Sequence, residues 1–317
     1  MWIYSKDRRR IVNVTSLKVN PLKQLGKFGQ SIWVDYIRRD LITGGGLQKL
    51  IEEDGLRGMT SNPSLFEKAI GESHDYDADI KAMAGKGKDA KEIYEAISQR
   101  DVQSAADVFR PLYDETDGKD GYVSLEVNPH LAHDTQTTIQ EARRLWVALD
   151  RPNVLIKVPA TAEGLPAIQQ LIGEGINVNV TLLFGLPRYR QVAEACFAGL
   201  EARAAQGKSV KRLASVASFF ISRIDALVDP LLEKVIADGG YFAELAKKAK
   251  GQVAIASGKM AYQIYKETFG SNRFKELASQ GALVQRLLWA STGTKNKAYS
   301  DVKYIEALIG PETVNTA

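Results

Sequence analysis

Lys157 lies in the run VLIKVP, flanked by Leu155, Ile156, Val158 and Pro159. A lysine on so short and apolar a strand sits away from bulk water, and desolvation disfavours its ammonium form. A neutral amine attacks carbonyl carbons, so the chemistry on offer is imine formation. Two carboxylates stand in comparable settings: Asp35 follows the apolar SIWV, and Glu126 sits in VSLEVNP. One can carry protons through carbinolamine formation and dehydration while the other acts on a substrate hydroxyl as a carbon–carbon bond breaks. Asn179 and Thr181 are two apart and share a strand face, Ser218 ends the alternating LASVAS, and Asn62 follows another apolar run at a helix start. Asn and Thr side chains can hold the water that such steps release and consume. Taken singly, Lys157 is explained equally well by a structural ion pair with Glu126 or Asp35. Gathered at one rim, neutral groups of this kind cost about 1–3 kcal/mol each when left without partners, and charged ones more.

These residues must be brought together by the elements that carry them. Eight short runs read as strands: 31–36, 56–61, 122–127, 154–159, 176–184, 213–218, 284–291 and 312–317. Helical patterns lie between them, among them the segment opened by Asn62-Pro63-Ser64 and the stretches 138–149, 165–175 and 187–205, whose apolar positions recur three and four apart. Strands alternating with helical crossovers predict an α/β fold with a parallel sheet, closed as a (β/α)8 TIM barrel over residues 21–317. In a barrel every second strand residue points inward, so Lys157 shares its face with Leu155 while Ile156 and Val158 meet the helices. The rival, an open doubly wound sheet, calls for a glycine-rich phosphate turn after its first strand. Gly44-Gly45-Gly46 comes too late for that and reads as a hairpin or a helix stop.

Composition narrows the function classes. Hydrophobic residues make up 44% of the 317 and charged residues 25%, which suits a large packed core. The formal net charge is +4, with Lys6, Arg8, Arg9 and Arg10 clustered at the start, so residues 1–20 read as a flexible basic leader. No basic face with interleaved aromatics marks a nucleic-acid site, and a small anionic substrate needs only one or two cations. Cys196, the single cysteine, lies in an amphipathic helical pattern as an inert buried thiol. His74, His130 and His133 have no carboxylate or cysteine partner at metal-ligand spacing, so neither a metal nor another cofactor is expected. No stretch approaches the roughly 18–20 apolar residues of a membrane span, and no secretory signal follows the basic run, so the expected location is the cytoplasm. The sequence sets no oligomeric state.

The motifs WVDY, TSNPSLF, SLEVNP, IKVPAT, NVNVTLLF and SFFISRID, in this order and spacing, resemble those of transaldolases, most closely a bacterial branch sometimes fused to glucose-6-phosphate isomerase. The resemblance runs from about Asn20 to the end of the chain. It implies transfer of a dihydroxyacetone unit from sedoheptulose 7-phosphate to glyceraldehyde 3-phosphate, giving erythrose 4-phosphate and fructose 6-phosphate. By the same resemblance Lys157 matches the Schiff-base lysine, Glu126 the carboxylate working through a bound water, and Thr181 a residue that positions that water. Asp35 matches the acid/base at the C4 hydroxyl. Asn62 and Asn179 match groups that hydrogen-bond the dihydroxyacetone unit, Ser218 a polar wall, and Arg223 the phosphate-binding arginine. From the residues alone, Arg223 reads as a surface arginine paired with Asp225. Two departures stand out. After the seventh strand the chain reads WASTGTKN, where many members place a second arginine; Ser291 matches, and Lys295 is the candidate second cation. Members normally continue with a C-terminal helix, so the resemblance implies that the final helix is absent and the last strand bare. Two further readings remain open: an aldolase that releases free dihydroxyacetone, and a sugar-phosphate-binding barrel without catalysis.

Overall fold

The computed structural model describes residues 20–316, so the leader reading for residues 1–19 lies outside the described part. Asn20 belongs to the fold: its side chain caps the helix Pro21–Leu25 and donates to Asp54 at 2.6 Å. Eight parallel strands close on themselves in sequence order, β1 (Gln30–Asp35), β2 (Leu56–Thr60), β3 (Tyr122–Glu126), β4 (Val154–Pro159), β5 (Val178–Leu183), β6 (Ser215–Phe220), β7 (Arg286–Ala290) and β8 (Thr313–Thr316). The expected barrel is thus present, with at least one helix in every crossover. The helix at Asn62-Pro63-Ser64 runs Pro63–Gly71, and the Asn62 side-chain Oδ1 accepts from the Leu65 amide at 3.1 Å. The glycine triplet is a helix stop: Gly44 ends the helix Arg39–Thr43, and Gly45 takes the left-handed conformation that glycine adopts without cost.

Alternation fills the two sides of the barrel wall differently. Ile156, Val158, Val178, Val180, Ala217, Phe219, Leu287 and Trp289 join the large cluster shared with the helices. Inside the wall a second cluster holds Trp33, Tyr122, Leu155, Val216, Leu288 and Val314. Leu155 and Ile156 therefore part company as the period-two reading requires. Beneath the apolar interior layer lies a polar floor. Arg286 donates to Asp120 at 3.0 Å and to Ser31 at 2.5 Å, and Ser31 donates to Asp120 at 2.9 Å. Above that layer, at the carboxyl ends of the strands, lies the ring of groups named from the sequence.

Strand ends differ from the sequence reading by up to two residues, most at β6, expected over 213–218. Here the chain stays extended through Phe219 and Phe220, because Phe219 packs edge-on against Tyr189 and Trp289 outside the wall. All four residues of β8 are buried, with Gln30 donating to Thr313 at 2.9 Å and Thr292 donating to Asn315 at 3.2 Å. Cys196 is buried, and burial pushes its thiol up to about 12, which keeps it protonated. Among the described residues, no helix is long and apolar enough to cross a membrane.

The polar floor generates a stability prediction. Asp120→Ala leaves the Arg286 guanidinium buried with its charge uncompensated, and urea denaturation should report a loss of about 3–5 kcal/mol. A loss below about 1 kcal/mol would show that water reaches the floor and screens it.

Candidate active site

The mouth of the barrel opens into a cavity of about 630 Å3. Lys157 reaches it from the inner face of β4, with only 9% of its side chain exposed. Parallel register sets Glu126 of β3 directly beside it, and the amine lies 3.2 Å from Glu126 Oε2. The amine also donates to the Ser61 carbonyl at 3.3 Å, just before the helix that Asn62 caps. The two sequence readings of Lys157 are therefore compatible: the ion pair exists, with Glu126 rather than Asp35, and it faces the cavity.

Asp35 reaches the same cavity from the end of β1. Thr60 Oγ1 donates to Asp35 Oδ1 at 2.6 Å. That bond uses the only proton on Thr60, so Thr316 Oγ, 3.2 Å away, must donate to Thr60. The chain of hydroxyls runs from β8 through β2 to β1 and treats Asp35 as an acceptor, which suits a carboxylate poised to take a proton. Thr60 and Thr316 were not picked out from the sequence. The signal was present in the alternation, since Gly58, Thr60, Val314 and Thr316 are the inward positions of LRGMT and ETVNT.

Of the residues named from the sequence, Lys157, Glu126, Asp35, Thr181, Asn62, Ser218, Arg223, Ser291 and Lys295 all line the cavity. Asn179 does not. It is fully buried beneath the floor of the cavity, donating to Ser124 Oγ at 3.0 Å and accepting from Ser218 Oγ at 2.7 Å. The sequence placed it on the right face but could not show that its neighbours use both ends of its amide.

The far end of the cavity is cationic. Arg223 stands in the first turn of the helix Ser222–Asp238, exposed, and forms no ion pair with another described residue. Its expected partner Asp225 instead accepts from the Ala254 amide at 2.7 Å and from Tyr304 Oη at 2.9 Å. Lys295 approaches from the loop after β7, which is tied to the same helix by Tyr299 donating to Asp229 at 2.6 Å and by Ser222 N donating to Ser291 O at 3.0 Å. Lys68, unnoticed in the sequence, adds a third cation from the helix Pro63–Gly71. Two non-glycine residues at this mouth hold left-handed backbone, Leu182 at φ 59° and Ser291 at φ 54°. Such strain gathers where the surrounding structure fixes a functional shape. At Leu182 it accompanies a shift in the β5–β6 register that turns this side chain out onto the cavity wall.

No group of three or more potential metal ligands occurs among the described residues. Two histidines do have carboxylate neighbours, His74 with Asp77 at 3.0 Å and His133 with Glu163 at 3.3 Å, which the sequence reading overlooked. Both are exposed pairs, and none of their four residues lines the cavity. The arrangement thus joins a buried amine, a carboxylate in contact with it, a second carboxylate held as an acceptor, and a cluster of cations suited to a phosphate.

A family profile described as transaldolase/fructose-6-phosphate aldolase matches residues 32–317. A transaldolase of Trichodesmium erythraeum is 52% identical over 300 residues, covering 94% of this chain and 79% of that protein. Transaldolase 2 of a Nostoc species is 50% identical over 303 residues, covering 95% and 80%. A transaldolase of Saccharopolyspora erythraea is 47% identical over 295 residues, covering 93% and 78%. With its barrel, its buried lysine and these matches over nearly its whole length, the chain belongs to the transaldolase/fructose-6-phosphate aldolase family.

Proposed function

We propose that this chain is a transaldolase that moves a dihydroxyacetone unit from sedoheptulose 7-phosphate to glyceraldehyde 3-phosphate through an imine on Lys157. The observation that carries the reading is the 3.2 Å contact between Lys157 and Glu126 inside a cavity whose other end is cationic. Arg223 binds the phosphate, helped by Lys295. The ketose carbonyl carbon then lies at the lysine. The amine adds to it, and Glu126, through a water held with Thr181, moves the protons that turn the carbinolamine into an iminium. Asp35 takes the proton from the C4 hydroxyl, the C3–C4 bond breaks, and its electron pair passes into the iminium to leave an enamine. Erythrose 4-phosphate departs, and the enamine waits for the acceptor aldehyde. Asn62 and Ser218 border the space for the three-carbon unit, whereas Asn179 acts from behind by fixing Ser218.

Passing the unit on, rather than releasing it, separates a transaldolase from a fructose-6-phosphate aldolase. The relatives named above carry the first name. Product formation from fructose 6-phosphate should therefore depend on added erythrose 4-phosphate. Equal turnover without an acceptor would identify the aldolase.

Borohydride reduction in the presence of fructose 6-phosphate should attach a three-carbon adduct to Lys157, read by peptide mass spectrometry. Lys157→Ala should give no adduct and no turnover; an adduct elsewhere would overturn the mechanism. Asp35→Ala should still form the imine but lose about 10^2–10^4-fold in kcat, the usual worth of a positioned base. Arg223→Ala should raise KM by roughly 10–100-fold, the loss of one charged hydrogen bond or slightly more, with kcat changed far less. An unchanged KM would remove Arg223 from the phosphate site.

A further inference from the structure

Glu126 borders two cavities. One is the substrate cavity. The other, of about 240 Å3, lies between the helices Ala90–Glu115 and Thr135–Leu149 and the loop after β3, and it shares Pro63, Glu126 and Pro129 with the first. Its outer end shares Lys91, Glu95 and Glu141 with a shallow surface cleft of about 460 Å3. Three spaces therefore adjoin in a row from solvent to the carboxylate that touches Lys157. The middle one has room for several waters.

The two approaches to Lys157 differ in charge. Arg223, Lys295 and Lys68 stand at the substrate mouth. The outer cleft carries four carboxylates, Asp89, Glu92, Glu95 and Glu141, against two cations, Lys91 and Arg144, a net charge of −2. Arg144 is itself engaged with Glu95 at 3.1 Å and Glu141 at 2.8 Å. A sugar phosphate is repelled from such an entrance, and water is not.

Tyr94 stands in the middle space, half-buried, its ring edge-on to Phe66 at 6.1 Å. Its hydroxyl makes no hydrogen bond to another described residue. Burial, with the negative charges of Glu126 and then Glu95, pushes that hydroxyl up to about 12, so it remains a proton donor and acceptor throughout the neutral range.

We propose that this side cavity is a water and proton route to Glu126, separate from the mouth that admits substrate, with Tyr94 as the positioning residue for its water. The inference rests on the imine reading of Lys157. When the carbinolamine dehydrates, its C–O bond breaks, the leaving hydroxyl takes a proton relayed from the Glu126 carboxylic acid through the bound water, and the nitrogen lone pair closes the C=N bond. One water and one carboxylate result. The phosphorylated substrate then occupies the mouth, so this water leaves, and the water of hydrolysis enters, past Glu126 on its other side.

Oxygen exchange tests the route. Wild-type protein incubated with fructose 6-phosphate in 18O-labelled water, without acceptor, should load label into the C2 carbonyl. Tyr94→Phe, which keeps the ring, and Ser98→Leu, which fills the side cavity, should each slow that exchange by about tenfold, less than the loss of a direct acid or base. KM for fructose 6-phosphate should stay unchanged, and borohydride should still trap the adduct on Lys157 after long incubation. Wild-type exchange in folded Tyr94→Phe, or a raised KM accounting for the loss, overturns the proposal. If wild-type protein gives neither exchange nor adduct, the imine reading falls and the route falls with it.

Discussion

A lysine amine and a glutamate carboxylate 3.2 Å apart, both almost wholly removed from water, set the terms for the rest of the barrel. Taking two charges out of water costs several kcal/mol per ion, and the contact offsets this only with good geometry and further hydrogen bonds. Parallel register supplies the geometry by making Glu126 and Lys157 direct neighbours on adjacent strands, and the Ser61 carbonyl supplies another acceptor for the amine. The pair also suits the proposed reaction. When Lys157 becomes an iminium the positive charge stays at the nitrogen, so Glu126 never loses its counter-charge for long. An apolar replacement would pack more cheaply, but it would leave nothing to react.

The layers beneath the pair follow from the same constraint. Ser124, Asn179 and Ser218 form a closed hydrogen-bonded strut directly under it, with both ends of the Asn179 amide satisfied. Below lies the apolar layer around Trp33, Leu155 and Leu288, and below that the Arg286–Asp120 floor. The strut uses both ends of the Asn179 amide, so the interior is held firmly where the chemistry is placed. The mobile part of the reaction is then left to substrate, protons and water.

Much of this was legible in the sequence because a parallel barrel obeys a period of two so strictly. The inward placement of Lys157, Glu126 and Asp35 follows from alternation within runs of four to six residues, and all eight strands lie where the apolar runs predicted them. What alternation cannot show is depth along the barrel axis and the partner each inward group takes. Asn179 therefore read as a ligand-facing residue, although its neighbours Ser124 and Ser218 consume its amide. Thr60 and Thr316 went unnoticed for the converse reason: hydroxyls in β-branched residues are ordinary in strands, and only the approach of β8 to β2 across the mouth turns them into a relay to Asp35. Arg223 needed the fold to free it, because its sequence neighbour Asp225 turns inward to Tyr304.

The phosphate end shows how the loops complete what the strands begin. Lys295 lies on a segment with no strand or helix of its own, where a long cationic side chain would lose entropy on each binding event. That segment is held against the helix bearing Arg223 by Tyr299 on the buried Asp229, and the short helix Lys303–Ala307 that follows it by Tyr304 on the buried Asp225, so the two cations are carried by one packed unit. Neither aspartate faces the cavity. Their role is to spend buried acceptors on tyrosine hydroxyls and backbone amides, leaving Arg223 and Lys295 unneutralised. A site for an anion requires cations without partners, and the fold provides them by satisfying the nearby carboxylates elsewhere.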